Sequence, residues 1–366
     1  VSQRTTATIV EVAEKAGVSI KTVSRVMNNE ANVRPETREQ VMRVVAELKY
    51  RPKLSARSLP GGRSFLIGLL YYDPSAEFIA GVQRGATMRC REQGYHVVVE
   101  SFSGDPEGLV HQLDHMLAAL RPDGMILTPP ICENPAVIAA LKAAGTPCVL
   151  ISPGKAGRKL PHVRMDDEHA AAEVAELLMR LGHRRIGLIE GPSDQAAAGW
   201  RRKGFERALR AGGVELEDRW VARGAFTFDS GLQAAEQLLD QRTPPTAVFA
   251  ANDDMALGLL AAAQRRGLQV PHDLSIVGFD DSPAASLVWP ALTTVRQPVF
   301  DMACAAVDML VVRPGAGETA AVATSCVLPH ELIVRASTGP APAPAAAAAK
   351  SPAPAAPAPR KRAVVR

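Results

Sequence analysis

From Phe65 onward, short apolar runs alternate with longer stretches of helical periodicity, and no other feature limits the fold so strongly. Runs at 66–71, 96–101, 124–128, 148–151, 185–190, 247–251 and 275–279 read as β-strands. Segments near 76–93, 106–119, 135–144, 168–181, 199–211, 229–240, 254–266 and 298–311 read as helices. Such alternation implies parallel sheets with helices on both faces, because parallel neighbours need crossover connections. The stretch 64–338 is long enough to divide into two lobes, and two similar α/β halves fit the pattern.

The first 50 residues follow a different rule. Thr8 can cap a helix from Ile9 to about Ala16, with Glu11 completing a capping box. Gly17 interrupts it, Ser19 can cap a second helix to about Met27, and Pro35 opens a third to about Leu48. In the third, Val41, Val44, Val45 and Leu48 form one apolar stripe. Residues 51–63, RPKLSARSLPGGR, read as a linker that can hold one or two helical turns. Residues 339–366 hold 12 Ala and 7 Pro and end in RKRAVVR; a disordered basic tail is expected.

Charge follows this division. The formal net charge is +4, but residues 1–63 carry +6, residues 339–366 carry +5, and the body between them carries −7. A basic head on an acidic body suggests a polyanion-binding module joined to something else. No apolar run approaches the ~18 residues of a membrane helix. The five cysteines are scattered, without a CxxC, which excludes the usual structural zinc spacings. With no apolar signal region in residues 1–10, a reducing cytoplasm, in association with the nucleoid, is the expected setting.

The segment TIVEVAEKAGVSIKTVSRVMNN has the chemistry of a helix-turn-helix. Ile9, Val12, Ala13, Val18, Val23 and Val26 supply small apolar positions between two crossing helices, and Gly17 permits the turn. Ser19 leaves Ile20, Lys21 and Thr22 on the first turn of the second helix, the part that faces base edges in the major groove. Lys21 can donate to guanine, and Ile20 can meet a thymine methyl. Arg25 is a second reader of base or phosphate. Thr8, Ser19, Thr22, Ser24 and Asn28 can bond phosphates and set register.

These residues resemble the signature of the lactose-repressor (LacI/GalR) family of bacterial transcription regulators, above all in AGVS, TVSRV and the following Asn. The resemblance runs over roughly residues 6–337 and includes TREQVMRVVAELKYRPKLSARSL, which is similar to the family's third and hinge helices. It implies a hinge that folds on the operator, with Leu59 wedged into the minor groove and Ser55, Ala56 and Ser58 on the closely packed faces of paired hinge helices. Pro60, directly after the wedge, departs slightly from the pattern. The resemblance further implies a homodimer on a near-palindromic operator, with dimerisation through body helices including the one near 76–93. The tail lacks a leucine heptad, so a tail-driven tetramer is not expected.

The body then resembles a type I periplasmic binding protein, with a ligand between two doubly wound lobes. Ligands of such sheets sit beyond the strands' C-terminal ends. Tyr72, Asp73, Thr128, Asp166, Arg201, Phe226, Asn252 and Asp280 stand at or near such positions. Paired donors and acceptors suit vicinal hydroxyls, and Phe226 or Tyr72 suits the apolar face of a pyranose. In the family, positions matching Arg201, Asn252 and Asp280 bind hydroxyls and Phe226 matches a stacking position. A small sugar that releases DNA is therefore the expected effector; a purine-type corepressor is the alternative.

Catalytic signatures are missing: the sequence holds no GxSxG, HExxH, P-loop or GxGxxG. His111 and His115 have metal-compatible i,i+4 spacing but lack an evident third ligand, so neither a metal nor another cofactor is expected. Asp280-Asp281 are read as ligand-site residues, not as a catalytic pair. A free solute-binding protein would not carry the head, and an architectural DNA-bending protein would not need the body.

Overall fold

The computed structural model describes residues 7–27, 32–50, 63–72, 76–102, 106–311 and 324–343. The residues expected to form the hinge, Ser55, Ala56 and Leu59 among them, lie outside this set, as do Asn28 and Asp73.

The head is a three-helix unit: α1 (Ile9–Lys15), α2 (Ile20–Met27) and α3 (Pro35–Glu47). Thr8 and Glu11 form the expected reciprocal capping box at the start of α1. Gly17, at φ +63°, makes the turn; a Cβ there would meet no neighbour, so glycine is needed for the backbone and not for space. At the start of α2, Ser19 Oγ accepts the Thr22 N–H at 3.1 Å. Val12, Ala13, Val23 and Val26 join Val41, Val44, Val45 and Tyr50 in one small core, and Ile9, Val18 and Leu48 pack at its edge. Gln40 Nε2 donates to the Ala16 carbonyl at 2.9 Å, supplying a partner at the end of α1.

The first lobe holds β1 (Leu66–Tyr71), α4 (Ala76–Glu92), β2 (His96–Ser101), α5 (Pro106–Leu120), β3 (Gly124–Leu127), α6 (Pro135–Ala143), β4 (Cys148–Ile151) and β5 (His162–Arg164). The second begins with α7 (Asp167–Arg180) and continues through β6 (Ile186–Glu190), α8 (Ala196–Ala211), β7 (Val221–Arg223), α9 (Phe228–Leu239), β8 (Ala247–Ala250), α10 (Asp253–Arg265), β9 (Ser275–Val277), α11 (Pro283–Leu287) and β10 (Thr294–Arg296). The chain then returns to the first lobe for α12 (Val299–Val311) and β11 (Ser325–Val327), and crosses again to β12 (Glu331–Ile333).

The two large sheets are parallel, and β10 and β12 form a separate antiparallel pair. The first has the order β11-β5-β4-β3-β1-β2 and the second β7-β6-β8-β9. Thus β2-β1-β3-β4 and β7-β6-β8-β9 share one doubly wound arrangement, with the order reversing beside β1 and β6. Side chains alternate across the strands. Ile67, Leu69 and Ile126 enter the core under α4 and α12. Leu70, Met125 and Leu127 enter the one under α5 and α6. Strands buried on both faces explain why they read as unbroken apolar runs. In the second lobe Phe205, Phe249 and Phe279 stack in a row with centroids 5.0 and 6.3 Å apart. There Gly204 lets α8 lie against α7, where a Cβ would overlap the Glu168 backbone.

Among the described residues, three crossings join the lobes, after β5, β10 and β11. The described chain also continues past the expected domain end at 338. The Gly339 carbonyl lies 3.1 Å from Nε2 of buried His183, and the Ala341 N–H donates to Leu181 at 2.8 Å. A buried imidazole needs such partners, and Gly339 and Ala341 pack on the second lobe.

Candidate functional site between the lobes

A cavity with an open mouth lies between the lobes. The first lobe contributes Tyr72 beyond β1, Phe78 and Ile79 on α4, Pro129 beyond β3 and Ser152 beyond β4; the second contributes Gln195, Ala197, Arg201, Phe226, Asn252 and Asp280. Gln297 enters from the crossing after β10. The strand-end positions arise directly from doubly wound topology, which gathers loops at the C-terminal ends of parallel strands.

Arg201 stands inside α8, which begins at Ala196, three residues before the expected helix. Its Nε donates to Asp167 Oδ1 at 2.9 Å and its Nη1 to the Ala251 carbonyl at 2.7 Å. The guanidinium carbon lies 3.7 Å from the Phe279 ring centre and 5.9 Å from that of Phe226. Both partners of the Arg201–Asp167 pair are buried, at 6% and 7% side-chain exposure. Mutual neutralisation and bonding are what allow charges at that depth.

Asn252 has two structural duties. Its Oδ1 accepts the Met255 N–H at 3.0 Å, capping α10, and its Nδ2 donates to the Phe226 carbonyl at 3.1 Å. That second bond anchors Phe226, whose backbone is left-handed at φ +59°. Asp280 has φ +132° and accepts from Gln297 Nε2 at 2.5 Å. Burial pushes its carboxyl up to about 8; Arg201 opposes the rise and Asp253 adds to it.

The neighbouring acids hold the loop. Asp253 accepts from the Ser282 N–H and the Thr294 hydroxyl, both at 2.7 Å, and burial pushes it up to about 6. Asp281 pairs with Arg335 at 2.5 Å and Arg296 at 2.7 Å. Between these two anchored acids, Asp280 lines the cavity.

Two expected effector residues lie elsewhere. Thr128 is fully buried, and its hydroxyl donates to the Leu70 carbonyl at 3.4 Å; its neighbour Pro129 meets the cavity instead. Asp166 caps α7 by accepting the His169 N–H at 3.1 Å and lines a separate depression beside Trp200 and Arg207. Sequence reasoning missed Phe78, Ile79, Ser152, Gln195 and Gln297. Ser152 alone carried a usable signal, one residue beyond a predicted strand.

On the head, Ile20 is 48% exposed and Lys21 lies beside it, both on the open first turn of α2. Thr8 and Ser19 are also exposed, while Thr22, Ser24 and Arg25 are half-buried. Thr8 and Ser19 accept backbone N–H groups in their caps. A capping hydroxyl keeps its own proton, so either can still donate to a phosphate; the Ser19 hydroxyl is at present 2.9 Å from that of Thr22.

A three-helix reader joined to a two-lobed body with a cavity in its cleft defines a ligand-sensing DNA-binding regulator. Residues 8–53 match the bacterial regulatory proteins of the lacI family, and residues 175–338 match the periplasmic binding protein-like domain. Catabolite control protein A of Priestia megaterium is 35% identical over 334 residues, covering 90% of this chain and 99% of the relative. The transcriptional repressor CytR of Escherichia coli K12 is 34% identical over 336 residues, covering 92% and 97%. The lac repressor dimer bound to operator and the anti-inducer ONPF aligns with a TM-score of 0.77 at 30% identity, covering 91% of this chain and 99% of that one. The complex of the transcriptional regulator CelR with cellobiose aligns at 0.69 and 33% identity, covering 90% and 99%. This chain belongs to the LacI family of bacterial transcriptional regulators. No helix among the described residues is long and apolar enough to cross a membrane.

Proposed function

We propose that the protein is a homodimeric repressor that leaves a near-palindromic operator when a neutral sugar enters the cleft. The observation that carries the reading is the convergence of Arg201, Asn252, Asp280 and Gln297 with Phe226 and Tyr72 on one cavity. Cation, amide and carboxyl groups there match the alternating donors and acceptors of vicinal hydroxyls, and the aromatic rings match an apolar sugar face. Among the structural relatives, CelR is seen with cellobiose, and the lac repressor with ONPF or ONPG.

Gln297 gives the cleft its link to the rest of the molecule. It bonds Asp280 and stands on a crossing between lobes. A ligand that competes for Asp280 therefore acts on a segment whose geometry must change when the lobes rotate. Coupling of about 1–3 kcal/mol between cleft and head corresponds to a ~5–150-fold change in operator affinity. Leu287 and Trp289, 82% and 83% exposed, provide apolar area for the dimer contact on the second lobe, as Met88 on α4 does on the first.

The test is a thermal-shift screen of the full chain against mono- and disaccharides, sugar phosphates and purines. A neutral sugar at ~100 times its Kd adds about 2.7 kcal/mol of stability, and the same sugar should release operator DNA. A purine that tightens DNA binding would replace this reading with corepression. Silence across the panel would overturn the assignment of the cleft.

A further inference from the structure

Away from the cleft and from the DNA-reading helix, three metal-ligating side chains meet. His169 and Glu173 stand one turn apart on α7, and His330 lies in the crossing between β11 and β12. His330 Nε2 is 2.8 Å from Glu173 Oε2, and His169 Nε2 is 3.6 Å from Glu173 Oε1. The two imidazoles meet edge to face with centroids 5.6 Å apart. All three sets of donor atoms fall within 4.8 Å of one another.

We propose that His169, Glu173 and His330 form a binding site for a divalent transition ion of the zinc class. Donors sharing one tetrahedral zinc at ordinary bond lengths lie about 3.3 Å apart, and the two measured spacings bracket that value. Imidazole nitrogen with one carboxylate suits zinc, cobalt or nickel and disfavours magnesium or calcium, which prefer all-oxygen shells. The three exposures explain how the site can both exist and load. The His330 side chain is 9% exposed and fixed, Glu173 is 35%, and His169 is 63% and free to close over an arriving ion. Three protein ligands leave a coordination position for water.

A simple His330–Glu173 hydrogen bond accounts for one of these contacts. It does not account for the second imidazole one turn away on the same helical face. An ion held by all three would fasten α7 of the second lobe to the third crossing, so occupancy would stiffen the connection that lobe rotation must bend.

The experiment uses the full-length chain, stripped with a chelator and titrated with Co²⁺. The expected result is one saturable equivalent with ligand-field bands but without thiolate charge-transfer absorption, despite the five cysteines. Zn²⁺ should displace the cobalt and raise the Tm. His169→Gln and His330→Gln should each weaken binding about tenfold or more, whereas His111→Gln should leave it unchanged. Because His169 is exposed, its variant should keep the metal-free Tm of the parent, which separates loss of ligand from loss of fold. Absence of saturable binding, or equal binding by parent and His169→Gln, would overturn the proposal.

Discussion

Arg201 supports the fold as well as facing the cleft, and its replacement should show both effects. Arg201→Met removes the partner of buried Asp167 and the donor to the Ala251 carbonyl. Breaking one side of a buried ion pair costs about 3–5 kcal/mol, because the remaining charge is left uncompensated. At ~2–4 °C per kcal/mol for a domain of this size, the loss amounts to roughly 6–20 °C in Tm. Asp167→Asn added to Arg201→Met neutralises the stranded charge, so the double variant should be more stable than Arg201→Met alone. Trp200, Trp220 and Trp289 all lie in the second lobe, so tryptophan fluorescence during urea unfolding reads the lobe that contains the pair. Both variants should lose the sugar response, but the double variant should regain much of the stability. A loss below ~1 kcal/mol for Arg201→Met, or single-site losses that simply add in the double variant, would refute the pairing argument.

Other substitutions probe the remaining features. Lys21→Ala should lower specific operator affinity by ~1–3 kcal/mol and relax preference at one base pair per half-site; fluorescence anisotropy on operator and random duplexes would expose a mere phosphate contact by equal weakening of both. Asp280 is held up to about 8 when folded, against about 3.9 in an unfolded chain. The folded state therefore binds the extra proton between those values, and its stability should fall as pH rises from about 4 to about 8. Asp280→Asn should flatten that slope in urea midpoints taken at several pH values; an unchanged slope assigns it to other groups. Trp289→Asp should shift sedimentation toward the monomer, and an intact dimer would remove Trp289 from the contact.

The legible parts of this fold were those set by local chemistry. The Thr8–Glu11 capping box, the Gly17 turn and the Ser19 cap are written in spacings of a few residues. The long strands were readable because parallel strands buried on both faces need continuous apolar residues. β5, β7 and β10–β12 escaped: each is a three-residue strand, and unlike β9, whose fully buried residues continue into an apolar run to Phe279, none stands in a continuous apolar run. The cavity was half legible. Arg201, Asn252 and Asp280 follow from strand ends and family resemblance, but Gln297 arrives through a crossing that no local pattern announces. Thr128 and Asp166 do not line this cavity. Each stands beside a strand end, yet backbone groups claim its side chain. His330 meets Glu173 across 157 positions, beyond the reach of any spacing rule.

The route of the chain between lobes also decides the order in which the protein can be completed during synthesis. After β5 ends at Arg164, the first lobe still lacks α12 and its edge strand β11, which ends at Val327. At ~5–20 residues per second, a nascent chain must wait roughly 8–33 s for them. Throughout that interval Ile67, Leu69, Ile126 and Val149, which α12 helps to cover, face an unfinished core. The lobe encoded first is thus finished only after most of the second has been made, and just before β12 completes that one. A premature stop after residue 298 would strike it, some 130 residues upstream of the lesion, and would leave the nearly complete second lobe joined to an open sheet.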